Sequence, residues 1–442
     1  MRFSTHNIFS KIHESENWFI VNLLSGSADL LNPQEAAQIE RIKDSMPDIT
    51  DPFQKELVDK GYFAEEQIEK KLYRERYLKF IDDQANDEVQ LFFVPNYSCN
   101  FACTYCYQEG YSNPEDQLTT GIIDSFYQYV KTEFASRKKY ITLFGGEPLL
   151  AGEKQKKLVK YFLEKASENN LEVCIVTNGY TLTEYMEVLS NAKIREIQIT
   201  LDGVNAVHNK RRPLKDGSST FDRVSRGIDA CLEHNIPLNL RMVIDKENIS
   251  GLAELSKYAI EKGWTQMPGF KTQLGRNYEL HYCQGSPEKL FDRLSLYQEL
   301  YSLIKQHPYI REFYKPSYSV SKFLSENGTL PEPLFDSCPG CKTEWAFDYT
   351  GRIYSCTATV GKLDEQLGTF YPLKTSKSEA VIEWQNRDIT GIPECKDCNL
   401  QLACGGGCAA VAKNASGIIS SPNCRPVKEL LELGFASYLE NN

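Results

Sequence analysis

Histidine is scarce in this chain, 6 among 442 residues, and no apolar run approaches the roughly 18–20 residues that a membrane span needs. The opening MRFSTHNIFSKIHESENW lacks the apolar centre and small-residue cleavage site of a secretory signal. A cytoplasmic protein without a membrane partner is therefore expected. There is no basic block either. Lys and Arg number 50 against 60 Asp and Glu, a net charge of −10, so the phosphate neutralisation that drives general nucleic-acid binding is missing. The densest basic stretch, HNKRRPLK (208–215), reads from charge alone as a solvated loop. At 41% hydrophobic and 25% charged, the composition excludes disorder and collagen-like repeats.

Cysteine is what the chain has in excess. Structural disulfides do not account for 14 Cys in a reducing compartment, and metal or cluster ligation is the default. Eleven fall in two groups: Cys99, Cys103 and Cys106, then Cys338, Cys341, Cys356, Cys395, Cys398, Cys404, Cys408 and Cys424. Of the others, Cys174 in an apolar strand and Cys231 on a helix read as ordinary buried thiols.

The length suggests two to four domains at roughly 100–200 residues each. Residues 1–85 read as a short hairpin (8–12 and 18–22), a turn at Ser25-Gly26-Ser27, a helix from Asn32-Pro33 to about Arg41, a second helix over 51–60 stopped by Gly61, and a polar tail. This order is winged-helix-like. From Glu88 the pattern becomes buried apolar strands at 89–96, 141–146, 171–179, 194–203 and 237–245, with a sixth at 270–274. Helix-length segments lie between them at 121–136, 153–168, 183–191, 221–234 and 251–262. Near-continuous apolar strands separated by helices predict a parallel sheet, either doubly wound or a full or partial β/α barrel. Residues 275–335 read as helical with Pro interruptions. The Cys-dense remainder has few apolar residues and is expected to fold around metal.

Cys99-Asn-Phe-Ala-Cys103-Thr-Tyr-Cys106 is C-x3-C-x2-C, directly after the first buried strand. Three thiolates on one loop suit a 4Fe–4S cluster with one iron left open, whereas zinc would want a fourth nearby ligand that 107–114 does not offer. The next strands end in Gly145-Gly146-Glu147-Pro148, Thr177-Asn178-Gly179 and Thr200-Leu201-Asp202-Gly203, at the strand ends where β/α barrels carry their chemistry. Taken singly, each is an ordinary βα turn; behind the Cys loop, they form a constellation.

On these residues, from about Glu88 to Leu274, the chain resembles the radical S-adenosylmethionine (radical SAM) enzymes. The resemblance implies that Cys99, Cys103 and Cys106 hold the catalytic 4Fe–4S cluster and that Gly145, Gly146 and Glu147 hold the methionine amino end of S-adenosylmethionine. It places Tyr105 near the adenine and Thr200 at the polar fourth-strand position. Arg212 matches the carboxylate-binding Arg, with Arg211 as the other candidate, so the basic loop is re-read as cofactor-binding. The implied chemistry is reductive cleavage of S-adenosylmethionine to a 5′-deoxyadenosyl radical that takes a hydrogen atom from an unactivated carbon.

The C-terminal thiols read Cys338, Cys341, G-x4-C ending at Cys356, C-x2-C-x5-C-x3-C over Cys395, Cys398, Cys404 and Cys408, and then Cys424. Two CxxC pairs alone would suit a zinc ribbon, and eight Cys suit two four-thiolate sites of either metal. The pattern resembles the SPASM extension of radical SAM enzymes. That implies two auxiliary 4Fe–4S clusters, one on Cys338, Cys341, Cys356 and Cys408, the other on Cys395, Cys398, Cys404 and Cys424. Cys338 is the assignment whose spacing departs from some relatives; without it the first auxiliary cluster would have an open iron.

The expected architecture is α/β: a winged-helix-like leader-recognition module (1–85), a partial (β/α)6 barrel (86–310), and a bridging helix with a Cys-rich, cluster-binding SPASM domain (311–442). The expected function is a peptide maturase that forms a thioether or C–C crosslink in a ribosomally made precursor peptide. Its leader would add a strand to the N-terminal sheet, the auxiliary clusters would take the electron, and a flavodoxin- or ferredoxin-type reductant would supply one. Sulfatase maturases are similar, but Thr357 stands where they carry an Asp base. A peptide epimerase is a further alternative, with Cys283 as hydrogen donor. The non-enzymatic alternative is an Fe–S electron carrier or metal-binding protein. Glu109, Asp202 and Asp348 are all candidate bases, and none is singled out.

Overall fold

The structure is a computed structural model and describes residues 1–111, 117–276 and 287–439. Its N-terminal part runs β1 (Arg2–Phe3), β2 (Asn7–Lys11), β3 (Trp18–Asn22), β4 (Ser27–Leu31), α1 (Pro33–Ile42), α2 (Pro52–Asp59), β5 (Phe63–Ala64) and α3 (Glu66–Asn86). The expected hairpin is a three-stranded antiparallel sheet, β2-β3-β4, and β1 pairs with β5 beside it. Asn32 caps α1 through a capping box with Glu35, and Pro33 occupies the first turn, where its missing N–H costs nothing.

The segment read as a polar tail is the helix α3, 21 residues long. Most of its charges face solvent, with Glu69 buried against Ser4 and Arg2, while Tyr73, Tyr77 and Phe80, spaced three or four apart, pack their rings around Phe335. Tyr73 donates to Gln401 (2.9 Å), Tyr77 donates to Asp388 (2.8 Å), and Phe19 of β3 stacks on Phe435. The N-terminal module therefore shares its core with the Cys-rich region.

Six parallel strands follow: β6 (Val89–Val94), β7 (Lys139–Leu143), β8 (Val173–Thr177), β9 (Ile194–Thr200), β10 (Leu238–Ile244) and β11 (Phe270–Arg276). Between them lie α4 (Thr120–Glu133), α5 (Glu153–Glu168), α6 (Leu182–Ser190), α7 (Ala206–Arg211), α8 (Phe221–Glu233) and α9 (Leu252–Glu261). The strands keep chain order across the sheet, as successive right-handed βαβ units give. The barrel is partial because β6 does not pair with β11.

The free edge of β6 is taken instead by β12 (Glu344–Asp348), in parallel, from the Cys-rich region. β13 (Arg352–Tyr354), β14 (Gly368–Thr369) and β15 (Thr375–Ser376) continue the sheet outward. The region read as having few apolar residues thus contributes a strand to the main core, where Ala346 and Phe347 are as buried as any barrel residue. The chain reaches β12 through α10 (Arg293–Gln306), α11 (Ile310–Phe313) and α12 (Ser321–Asn327). It ends with α13 (Ser378–Gln385), α14 (Gln401–Cys404), α15 (Ala409–Ser416) and α16 (Val427–Tyr438). No described helix is long and apolar enough to cross a membrane.

Phe126 of α4 is fully buried at the seam, against Phe93 of β6, Phe162 of α5 and Phe347 of β12. Phe126→Ala is expected to cost about 3–5 kcal/mol of stability, read as a lower urea midpoint of the apoprotein. An unchanged midpoint would mean that the seam does not carry the fold.

Candidate functional site

Past the end of β6 the chain turns through Asn96–Ser98 into the Cys loop, and the loop after β7 is zipped onto it. Gly146 N donates to the Asn96 carbonyl (3.1 Å) and Glu147 N to the Ser98 carbonyl (2.8 Å). Only glycines allow this approach. A Cβ on Gly146 would lie 2.2 Å from the Ser98 carbonyl oxygen, and Gly145 adopts a φ of 135°. The far side of the Cys loop is held by the basic segment, with Ala102 N donating to Pro213 O, Thr104 N to Arg211 O and Lys215 N to Asn100 O.

Cys99, Cys103 and Cys106 line one cavity of ≈ 470 Å³, together with Tyr105, Gly145, Gly146, Thr200 and Arg212. Burial pushes the Cys99 thiol up to about 12 and that of Cys103 up to about 11, with Arg212 pulling both back. A metal centre binding there must displace protons. Tyr105 donates to Asp202 (2.6 Å) and accepts from Arg212 (2.6 Å).

The two arginines separate cleanly. Arg211 is spent on Asp202 (3.2 Å) and Asp245 (2.9 Å), whereas Arg212 faces the cavity with its buried Nε unpartnered. His208 is buried beside them. Desolvation and both arginines hold it well below its ordinary pKa, so its neutral Nδ1 accepts from Asp202 N.

Glu147 has an immediate task away from the cavity. It is fully buried, and its carboxylate accepts from Leu149 N (2.8 Å), Thr177 Oγ1 (2.7 Å) and Asn178 N (2.6 Å), tying the β7 loop to the end of β8. Burial pushes its carboxyl up, and these donors pull it back.

Cys338, Cys356 and Cys408 line the same cavity. Cys341 lies behind them, its thiol raised by burial and then by Cys356 and Cys338, so these four form one group. Cys395, Cys398, Cys404 and Cys424 form the other: burial pushes Cys395 up to about 11, with added pressure from its three partners. Cys174 and Cys231 stand apart on β8 and α8. Cys283 lies outside the described residues, as does the side chain of Glu109.

Residues 93–259 match the model of the Radical SAM superfamily. The chain carries a radical SAM domain. A probable GTP 3′,8-cyclase of Sulfurisphaera tokodaii is 27% identical over 249 residues, 55% of this chain and 73% of that protein. A cysteine-type anaerobic sulfatase-maturating enzyme of Clostridium perfringens is 24% identical over 358 residues, 76% of this chain and 93% of that protein. The crystal structure of Streptococcus suis SuiB bound to its precursor peptide SuiA matches with a TM-score of 0.51 at 14% identity, over 96% of this chain and 99% of that one. The residues of this radical SAM domain fit the group its name implies. They offer three half-buried thiols on one loop, a cradle at Gly146 that a Cβ would fill, and an orphaned guanidinium nitrogen on Arg212.

Two of the three candidate bases are already saturated. Asp202 accepts from Tyr105, Arg211 and Val243 N, and Asp348 from Tyr97, Tyr354 and Thr350. The sequence reading missed Glu344. It lines the cavity at the start of β12, burial raises its carboxyl, and its Oε1 accepts from Thr357 N (3.0 Å). No bond to Oε2 is present among the described residues. Its sequence context, three residues after Cys341 at the head of a short apolar strand, carries no pattern that marks it. Across the gap Tyr107 Oη donates to the Thr357 carbonyl (3.5 Å).

Glu147→Gln removes one acceptor from a buried set and is expected to cost about 1–3 kcal/mol, seen as a lower melting temperature without cofactor. Unchanged apoprotein melting with lost S-adenosylmethionine affinity would instead make Glu147 a direct cofactor contact.

Proposed function

We propose that this chain is a radical SAM peptide maturase that crosslinks a ribosomally made precursor peptide through a thioether or C–C bond. The observation that carries the reading is the single cavity lined by Cys99, Cys103 and Cys106 together with Cys338, Cys356 and Cys408. A substrate held there could lose a hydrogen atom toward one set and an electron toward the other. The breadth of the SuiB likeness supports a peptide over a nucleotide, since it spans 96% of the chain against 55% for the cyclase relative.

In this reading Cys99, Cys103 and Cys106 hold a 4Fe–4S cluster, and Tyr105, Gly145, Gly146, Thr200 and Arg212 surround S-adenosylmethionine, with Glu147 holding the glycine loop from behind. Bound together, they supply a 5′-deoxyadenosyl radical able to take hydrogen from an unactivated carbon. Cys338, Cys341, Cys356 and Cys408, and Cys395, Cys398, Cys404 and Cys424, hold two auxiliary 4Fe–4S clusters as electron relays. A flavodoxin- or ferredoxin-type protein is the reductant. Arg212 offers its free Nε to the cofactor carboxylate. Glu344 Oε2 takes the proton that leaves the substrate as the crosslink forms, standing in for the Asp absent at Thr357. Residues 1–85 bind the leader along β4, which pairs only with β3 among the described residues and so leaves one edge open. Residues 86–310 and 311–442 are the barrel and the bridging helix with the SPASM domain.

Iron and sulfide after anaerobic reconstitution are expected at about twelve each per chain, with three 4Fe–4S clusters, and 5′-deoxyadenosine is expected under dithionite. About four irons with about two zincs would remove the relay role. Absence of 5′-deoxyadenosine from fully loaded protein would leave an electron carrier. Glu344→Gln is expected to keep 5′-deoxyadenosine formation while crosslinked product falls about 10²–10⁴-fold. Equal loss of both would make Glu344 structural.

A further inference from the structure

Arg241 is a cavity cation that the cofactor reading does not use. It stands in the middle of β10, in register with Thr200 of β9, and both side chains line the cavity. Its guanidinium has no hydrogen bond or ion pair with any described residue, and its Nε is buried without an acceptor.

The other cavity arginines are engaged. Arg212 donates to Tyr105, and Arg276 donates to the Phe291 carbonyl. Arg212 is also the cation whose charge reaches the Cys99 and Cys103 thiols, whereas that of Arg241 falls on Tyr107, beyond the Cys loop.

The neighbouring strand makes room for this side chain. A Cβ on Gly275 of β11 would lie 2.7 Å from one terminal nitrogen of Arg241 and 2.8 Å from its Nε. The guanidinium therefore rests in a slot that any larger residue would fill. A half-buried guanidinium with no anion is costly to keep. Its planar fork is complementary to a carboxylate.

We propose that Arg241 binds a carboxylate of the peptide substrate, either an Asp or Glu side chain beside the modified residue or the peptide's C-terminus. The proposal rests on the peptide reading above and adds a requirement for an acidic group in the segment that enters the cavity. Arg241 is in register with Thr200, the last residue of β9, so its partner is the part of the substrate that passes beside that strand end.

The test uses four probes on the full-length protein, by calorimetry or saturation-transfer NMR: Ac-Glu-NH2 and Ac-Ala-OH, with Ac-Gln-NH2 and Ac-Ala-NH2 as uncharged controls. At least one charged probe is expected to bind about tenfold or more tighter than its control, as a charge-assisted bidentate pair implies. Ac-Glu-NH2 preferred indicates a side chain, and Ac-Ala-OH preferred indicates a C-terminus. Arg241→Gln should abolish the preference and Arg241→Lys should keep part of it. Gly275→Ala, which changes no charge, should weaken it by crowding the fork. S-adenosylmethionine affinity should be unchanged in all three. Equal binding of charged and uncharged probes overturns the proposal. So does a tenfold loss of S-adenosylmethionine affinity in Arg241→Gln, which would make Arg241 a cofactor contact. Formation of 5′-deoxyadenosine is read separately, so a protein that prefers a charged probe yet forms none ends the maturase reading and leaves the Arg241 site standing.

Discussion

Strand β6 is hydrogen-bonded along both edges by parallel strands from distant parts of the sequence, β7 on one side and β12 on the other. A closed barrel would give that second edge to β11, and the interior would fill with side chains from one domain. Giving it to β12 keeps the barrel open and brings a second domain to its mouth. Cys341 precedes β12 by three residues and Cys356 follows β13 by two, so the pairing of β6 also fixes where those thiols stand. The shared cavity follows from that register, and the aromatic seam around Phe126 holds it.

Buried charge does the remaining positioning, and it does so in connected sets. Around the Cys loop the set is Arg212, Tyr105, Asp202, Arg211 and Asp245, linked end to end with the Arg212 Nε left over toward the cavity. In the Cys-rich region Asp336 pairs with Lys342 and Arg387, and Arg387 also donates to the carbonyls of Gly406, Gly407 and Ile419. Such sets add little net stability over apolar packing, but removing one member strands a buried charge. Their value is in fixing irregular loops that few apolar contacts could hold. Against that background an arginine with no partner, as at Arg241, stands out.

The six barrel strands and five of the helices between them were legible because buried parallel strands are apolar on both faces and turn signals punctuate them. Their observed bounds fall within three residues of those read from the sequence. Helix α7 lies in the basic stretch that had read as a loop. The elements missed share a cause, since in each the burial signal is masked. Helix α3 carries so many Lys, Arg and Glu residues that its buried tyrosines are diluted. Strand β12, read as EWAFD, is too short and too close to cysteines to announce a sheet partner parallel to a strand some 250 residues earlier. In the site, the C-x3-C-x2-C loop and GGEP pointed to one cavity. Glu344 and Arg241 were invisible because single charges in apolar strands carry no spacing pattern.

The N-terminal module is anchored to the Cys-rich region, where α3 packs on Phe335 and β3 on α16, and more lightly to the barrel part, where Lys305 of α10 pairs with Glu14 and Arg137 donates to Gln84 O at the end of α3. A leader added to β4 would therefore be fixed relative to Cys338, Cys356 and Cys408, and the core peptide would have to cross from that side toward the barrel interior. Its free end would then meet the barrel strands last, where Arg241 rests against Gly275. On the proposed peptide reading, the tether and the unpaired cation would set a direction for the peptide, with recognition at the Cys-rich side and an acidic group beside Arg241.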